Sequence, residues 1–236
     1  MIDNCYLATL AFENHEWIPA LVEKFPDLVI YDCSEKNPYR GPGNVIKIPN
    51  EGFTGNWNYV FDEFLKTDKE YIWMTNNDIE IGRKTVEKLL ERLNDLENAA
   101  GIVASYNSHH QPLRNHETGG LRKVPFLEQT SPIYKRKAIS DLKDKFGYVL
   151  YQPIKMGWGV DIISSYELRK LGYDLYVDDS LSFHHYIAGN AKVVYGSKKN
   201  YTKTASEDRG KHIAEYIGRG WKKKMLEGFE HLNYKI

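Results

Sequence analysis

Asn76, Asn77 and Asp78 follow the strand-like run Tyr71–Thr75 directly. Two neutral amides and one carboxylate therefore stand where a strand should end. Asn and Asp are good turn formers, so a plain turn is one reading. A cation site is the other, because a carboxylate at the C-terminal edge of a strand can hold a metal on a ligand's phosphates. Asp32 and Asn50 also stand at predicted strand ends. If those strands lie side by side, all these groups line one crevice.

The elements that must position them follow from hydrophobic spacing. Cys5–Ala11 reads as a first strand, and Trp17, Ile18, Leu21, Val22 and Phe25 recur at helical spacing. A second strand ends in Asp32 and a third covers residues 44–50. A helix over residues 55–66 has Trp57, Val60, Phe61 and Phe64 on one face. Residues 70–75 form a fourth strand, 84–96 an amphipathic helix and 101–106 a fifth strand. Strand–helix alternation with continuously apolar strands predicts an α/β fold, its mostly parallel sheet covered by helices on both faces. The second half is less regular. Residues 121–139 read as one or two strands broken at a proline. Residues 159–172 read as a helix with Gly172 near its end, 173–186 as a strand pair or bent strand, and the remainder as polar, then helical.

A chain of 236 residues, 42% hydrophobic, suits one large domain. Thirty-two basic residues balance thirty-two acidic ones, so bulk charge points to neither nucleic acid nor an anionic membrane. Cys5 and Cys33 lie in apolar runs without zinc spacing, as buried thiols of a reducing compartment do. With no apolar run near 18 residues and no secretory leader, a cytoplasmic protein is expected. No G-x-G-x-x-G, Walker or G-x-S-x-G pattern occurs, which argues against dinucleotide oxidoreductases, P-loop kinases and α/β-hydrolases.

The ordered set Asn50, Gly52, Phe53, Gly55, Asn56, Asn76, Asn77, Asp78 and Glu80 resembles the core of the family-2 inverting glycosyltransferases, which have the GT-A fold. The later stretch 156–185 is similar to the second half of that family: an acidic residue opens a helix, Gly-Tyr ends it, and a strand ends in His. The resemblance covers roughly residues 5–186. It implies a single GT-A domain: a nucleotide-binding half over 1–106, an acceptor and catalytic half over 107–186, and a basic helical extension over 187–236. It implies transfer of a sugar from a nucleotide-diphosphate sugar, with a UDP-sugar as the leading donor and Mn2+ or Mg2+ as cofactor. The acceptor hydroxyl could belong to a glycan, a lipid-linked sugar, a protein or a modified nucleobase. A module that binds without turnover and a sugar nucleotidyltransferase are the rival readings.

By that resemblance, Asn76, Asn77 and Asp78 occupy the DxD position of the family, with one carboxylate missing at Asn76. A neutral amide is a weaker ligand for a hard cation, so Asp78 is expected to hold the metal with the diphosphate and a later His. Asp32 takes the place of the base-reading carboxylate, Thr9 flanks the same base, and Asn50 and Asn56 join the nucleotide-sugar site. Asp161 matches the catalytic base, Val160 standing where a paired carboxylate is common. Asp161 also suits a helix cap, and both roles can hold together. Trp158 and Gly159 are expected at the sugar or acceptor. His184 and His185 point to opposite faces of an extended strand. His185 shares its face with Leu181 and Phe183, so His184 is the expected ligand. Arg122 and Lys123 are candidate phosphate contacts or a solvated pair. Beyond residue 185, eleven Lys or Arg stand against five Asp or Glu. That segment could touch a membrane surface or pack on the core as an ordinary helix.

Overall fold

The computed structural model describes residues 1–106, 119–186 and 198–229. A short 3-10 turn, Ile2–Asn4, leads into β1 (Cys5–Ala11), α1 (Ile18–Lys24), β2 (Val29–Asp32), β3 (Asn44–Lys47), α2 (Gly52–Leu65) and β4 (Tyr71–Thr75). Then come β5 (Ile79–Glu80), α3 (Arg83–Asp95), β6 (Ala99–Tyr106), β7 (Leu121–Lys123), β8 (Ile133–Lys135) and α4 (Arg136–Phe146). The chain continues through α5 (Val160–Lys170), β9 (Asp174–His185), α6 (Lys198–Ile217) and α7 (Trp221–Leu226).

The sheet runs β3-β2-β1-β4-β8-β6-β9-β5, with β7 added on β9. The first four strands pair in parallel, as their unbroken apolar runs require. The second half is mixed: β8 is antiparallel to β4 and β6, while β6 and β9 are parallel. The expected parallel pairing is thus unbroken from β3 to β4 and recurs at β6–β9, with antiparallel β8 between them. Neighbouring residues of one strand show that helices cover both faces. Trp73 meets Phe25, at the end of α1, with ring centroids 4.7 Å apart. Tyr6, whose register partner is Ile72, instead meets Phe64 of α2. Leu7 and Trp73 share a register level, and Tyr6 and Ile72 share the next, so the two helices lie on opposite faces.

The core follows the apolar spacing. Trp57, Val60, Phe61 and Phe64 of α2 are fully buried, as are Ile72, Trp73 and Met74 of β4. Each such side chain contributes about 1.5–3 kcal/mol from burial. Gly101 of β6 lets the sheet close: a Cβ there would stand 2.7 Å from the Ile133 carbonyl oxygen and 2.6 Å from the Tyr134 ring. Residues 173–186 form a bent strand. Between Ala104↔Asp178 and Ser105↔Ser182 the β6–β9 register shifts, so residues 179–181 bulge out. Asp178 holds the bulge by accepting hydrogen bonds from the Ser180 N–H (3.0 Å) and Oγ (2.6 Å).

Candidate functional site

The C-terminal ends of β1, β2 and β4 meet at one edge of the sheet. At the end of β4, Asp78 is buried and its Oδ1 lies 3.2 Å from His185 Nε2. One short antiparallel ladder creates this contact. Ile79 and Glu80 of β5 pair with His185 and His184 of β9, and the Tyr186 N–H donates to the Asp78 carbonyl at 2.9 Å. The structure thus brings His185, not His184, against Asp78. Residues 183 and 185 do share the inward face, and Ser182 and His184 are exposed. The correction is to which face matters: Asp78 is itself buried, so its partner must come from the inward side. His184 instead packs its ring on Tyr186, with centroids 4.5 Å apart. Tyr186 also stacks on Trp17 at 5.0 Å and 10° and donates to Glu80 at 2.8 Å, forming an aromatic rim.

Asn77 acts through its side-chain amide and Asn76 through its main-chain N–H. Asn77 is buried and its Nδ2 donates to the Asn14 carbonyl at 2.9 Å, which ties the β4 end to the β1–α1 loop. The Asn76 N–H donates to the Thr130 carbonyl at 2.8 Å, which ties the same end to the segment ahead of β8. Gln129 Nε2 in that segment reaches Ser164 Oγ at 3.5 Å, and Ser164 donates to the Val160 carbonyl at 2.8 Å. A continuous path of contacts therefore joins the Asp78 edge to the first turn of α5, where Asp161 stands.

α5 starts from Gly159, held at φ +95°, a conformation that favours glycine. A Cβ at Gly159 would collide with Arg209 and Ile213 of α6 at 2.7 and 2.8 Å. The N-cap is thus Gly159, and Asp161 lies inside the first turn, where its charge complements the helix dipole. Asp161 Oδ1 accepts the Ile162 N–H at 2.9 Å. The loop that delivers Trp158 and Gly159 is docked on α2. Asn58 Oδ1 accepts the Val149 and Leu150 N–H groups at 3.2 and 2.8 Å, Thr54 donates to the Ile154 carbonyl, and the Phe53 ring fits against Gly157. Trp158 is half-buried.

Several expected ligand contacts are instead structural. Thr9 is fully buried and donates to the Thr75 carbonyl at 2.8 Å, bonding β1 to β4, so it presents nothing to a base. Asn56 is buried and its Oδ1 accepts the Glu51 N–H at 2.9 Å, pinning the start of α2. Asp32 is buried. Its Oδ1 accepts the Ser34 N–H at 3.0 Å, and its Oδ2 the Tyr39 N–H at 3.2 Å and Lys47 Nζ at 3.3 Å. Burial alone would raise this carboxyl, but the bonds from Ser34, Lys47 and Tyr39 outweigh it and hold it below the usual range. Asp32 thus shapes the loop over 33–39 rather than presenting a free edge to a ligand. Asn50 is exposed, accepting the Gly52 N–H and donating to Glu35, both at 3.0 Å.

Arg122 is largely shielded from solvent while Lys123 is exposed, and both are paired with acids. Arg122 is bidentate on Asp179 of β9 at 2.6 and 3.2 Å, and Lys123 meets Asp174 at 2.7 Å. Their charges are thereby engaged by acids of the same sheet. The apolar face of α6 and α7 packs inward, with Ile213, Ile217 and Met225 buried. That arrangement fits the core-packed reading. Among the described residues, no helix is long and apolar enough to cross a membrane.

A metal fits this edge only in part. Among the described residues no group of three or more His, Cys, Asp or Glu side chains is placed to hold a metal ion. Asp78 and His185 supply two donors, a number suited to an ion that takes its remaining ligands from substrate phosphates and water.

No family model and no curated protein sequence matches the chain. Solved structures do match in fold. The structure of GalNAc-T7 with UDP, GalNAc and Mn2+ is 12% identical with a TM-score of 0.59, over 98% of this chain and 55% of that one. A mycobacterial protein is 11% identical at TM-score 0.55, over 80% of this chain and 69% of its own. A197 from STIV is 12% identical at TM-score 0.53, over 78% and 86%. This chain spans about half the length of GalNAc-T7. At such identities the likeness speaks for architecture alone: a central multi-stranded sheet flanked by helices, the GT-A fold.

Proposed function

We propose that the chain is a nucleotide-sugar-dependent glycosyltransferase, built as one GT-A domain, that moves a sugar to an acceptor hydroxyl with inversion. The supporting observation is that the contacts Asn76–Thr130, Gln129–Ser164 and Ser164–Val160 tie the backbone beside Asp78 to the first turn of α5, linking two elements that carry complementary chemistry. The Asp78–His185 pair stands at the C-terminal edge of β4, and Asp161 stands in the first turn of α5. Asp78 and His185 would hold a divalent cation, Mn2+ or Mg2+, which when bound neutralises charge on the departing nucleotide diphosphate. Asp161 takes the proton of the acceptor hydroxyl as its oxygen attacks the anomeric carbon. The bond from that carbon to the diphosphate oxygen breaks on the opposite side. Trp158, three residues before Asp161 in the chain, offers a half-buried ring on which a sugar face can stack. A UDP-sugar is the favoured donor, since the fold is shared with a protein solved with UDP and Mn2+.

The second reading is a module that binds a nucleotide sugar without turnover, favoured by Asn76 and Val160 at positions where carboxylates would serve. Nucleoside-diphosphate release from a panel of donor sugars, with and without Mn2+, separates the two. Metal-stimulated release from one donor supports the enzyme. UDP binding without release from any donor supports the module, and absence of both refutes the nucleotide-sugar reading.

A further inference from the structure

Glu13 is the only non-glycine residue at positive φ (56°) among the described residues, and its carboxylate is held by three successive backbone donors. The N–H groups of Glu35 and Lys36 reach Oε1 at 2.9 and 3.1 Å, and that of Asn37 reaches Oε2 at 3.1 Å. Asn37 Nδ2 also donates to the Glu13 carbonyl at 3.0 Å. Successive N–H groups converging on one point make an anion-binding concavity. Here the anion is a side chain of the protein itself. Burial pushes the Glu13 carboxyl up, but the three N–H groups and Lys36 more than reverse this and lower it.

The concavity is tied to the candidate site through neighbouring residues. Asn14, next in the chain, receives the Asn77 amide of the β4 edge. Ser34, before the first donor, binds the Glu13 N–H at 3.0 Å and His15 Nε2 at 2.9 Å. Glu35 is tied to Asn50. A left-handed backbone in a residue with a long side chain is uncommon, and such strain collects at ligand clamps and switches.

We propose that the Glu35–Asn37 amides are a binding site for a phosphate group of the nucleotide ligand, which Glu13 fills in the ligand-free protein and vacates when the phosphate enters. This rests on the nucleotide-sugar reading above and adds an internal competitor to it. The displaced carboxylate swings to solvent and its backbone can leave the left-handed region. A phosphate offers the same amides more acceptor oxygens and more charge.

The test is calorimetric titration of wild type, Glu13→Ala and Glu13→Gln with UDP, uridine and inorganic pyrophosphate. Amide chemical shifts of residues 35–37 serve as the local readout. Removing the resident carboxylate should tighten UDP and pyrophosphate by about tenfold, the scale of one displaced set of charge-assisted hydrogen bonds. Uridine, which has no phosphate, should be unaffected, and the three amides should shift with pyrophosphate in Glu13→Ala. Glu13→Gln keeps the length of the side chain without its charge and should tighten binding by less, which covers the case of an alanine variant that folds poorly. UDP binding at wild-type or weaker affinity in both variants overturns the internal competitor while leaving the nucleotide reading intact. Failure of UDP and pyrophosphate to bind any of the three proteins overturns both.

Discussion

Replacing His185 by Ala removes the contact with Asp78 Oδ1 at 3.2 Å and the edge-on packing of the imidazole on Tyr106, whose centroid is 5.8 Å away. It leaves the buried Asp78 carboxylate short of a partner, a change that costs about 1–3 kcal/mol. In a chain of this size each kcal/mol moves the melting temperature by about 2–4 °C, so a fall of about 2–12 °C is expected. Replacing the exposed His184 should cost no more than about 0.5 kcal/mol, a shift of about 2 °C at most. The functional contrast should be sharper. Losing one of two protein donors should reduce the Mn2+-dependent gain in UDP affinity by about tenfold or more, the lower end of what altered metal surroundings usually cost. His184→Ala should keep that gain. The assay is calorimetry of UDP with and without Mn2+ on wild type, His184→Ala and His185→Ala, paired with thermal melts. Metal-free UDP affinity should agree across all three. If His184→Ala loses the Mn2+ gain while His185→Ala keeps both the gain and the wild-type melting temperature, the assignment of His185 is wrong.

Asp161→Asn should preserve donor affinity and lower turnover by about 10²-fold or more, since the amide still accepts the Ile162 N–H but cannot take a proton. Near-normal turnover at unchanged melting temperature would remove Asp161 as the base. Burial pushes the Cys33 thiol up to about 12, and burial also raises Cys5. Both thiols therefore stay protonated and enclosed at pH 8, and a thiol reagent should label neither in the native protein but both in strong denaturant. Rapid native labelling would contradict the packing of β1 and β2.

Much of the architecture was legible because apolar spacing and burial coincide. The α2 stripe of Trp57, Val60, Phe61 and Phe64 is the packed face of that helix, and the residues at Asp32, Asn50 and Asn76–Asp78 do end or follow strands at one edge. α4 was not legible. Its apolar positions, Ala138, Ile139 and Leu142, are few and interleaved with basic residues that follow β8 without a turn. Polar roles were harder still. A hydroxyl at a strand end looks the same in sequence whether it faces a ligand or, like Thr9, bonds the neighbouring strand. Asn56 and Asp32 likewise satisfy backbone donors a few residues away, a need set by the local chain path. The choice between His184 and His185 turned on which face of β9 carries the chemistry. That depends on β5 pairing beside it, and β5 is only two residues long. Glu13 is indistinguishable in sequence from a solvated loop residue, because its significance lies in a backbone angle and three amides more than twenty positions away.

The place of β8 in the sheet has a consequence for how the chain is made. β8 separates β4 from β6, yet it follows β6 in sequence by roughly 30 residues. All eight residues of β6 are buried in the finished protein. On a ribosome, β1 to β4 can assemble as they emerge, but β6 must wait beside an incomplete sheet until Ile133–Lys135 arrive to bridge it. At about 5–20 residues per second that wait lasts about 2–6 s. During those seconds an eight-residue apolar strand has no neighbour of its own on the β4 side, and unpaired strands of this kind are where nascent chains stick to one another. Residues 107–135 must therefore all be made before β6 can gain its neighbour on the β4 side.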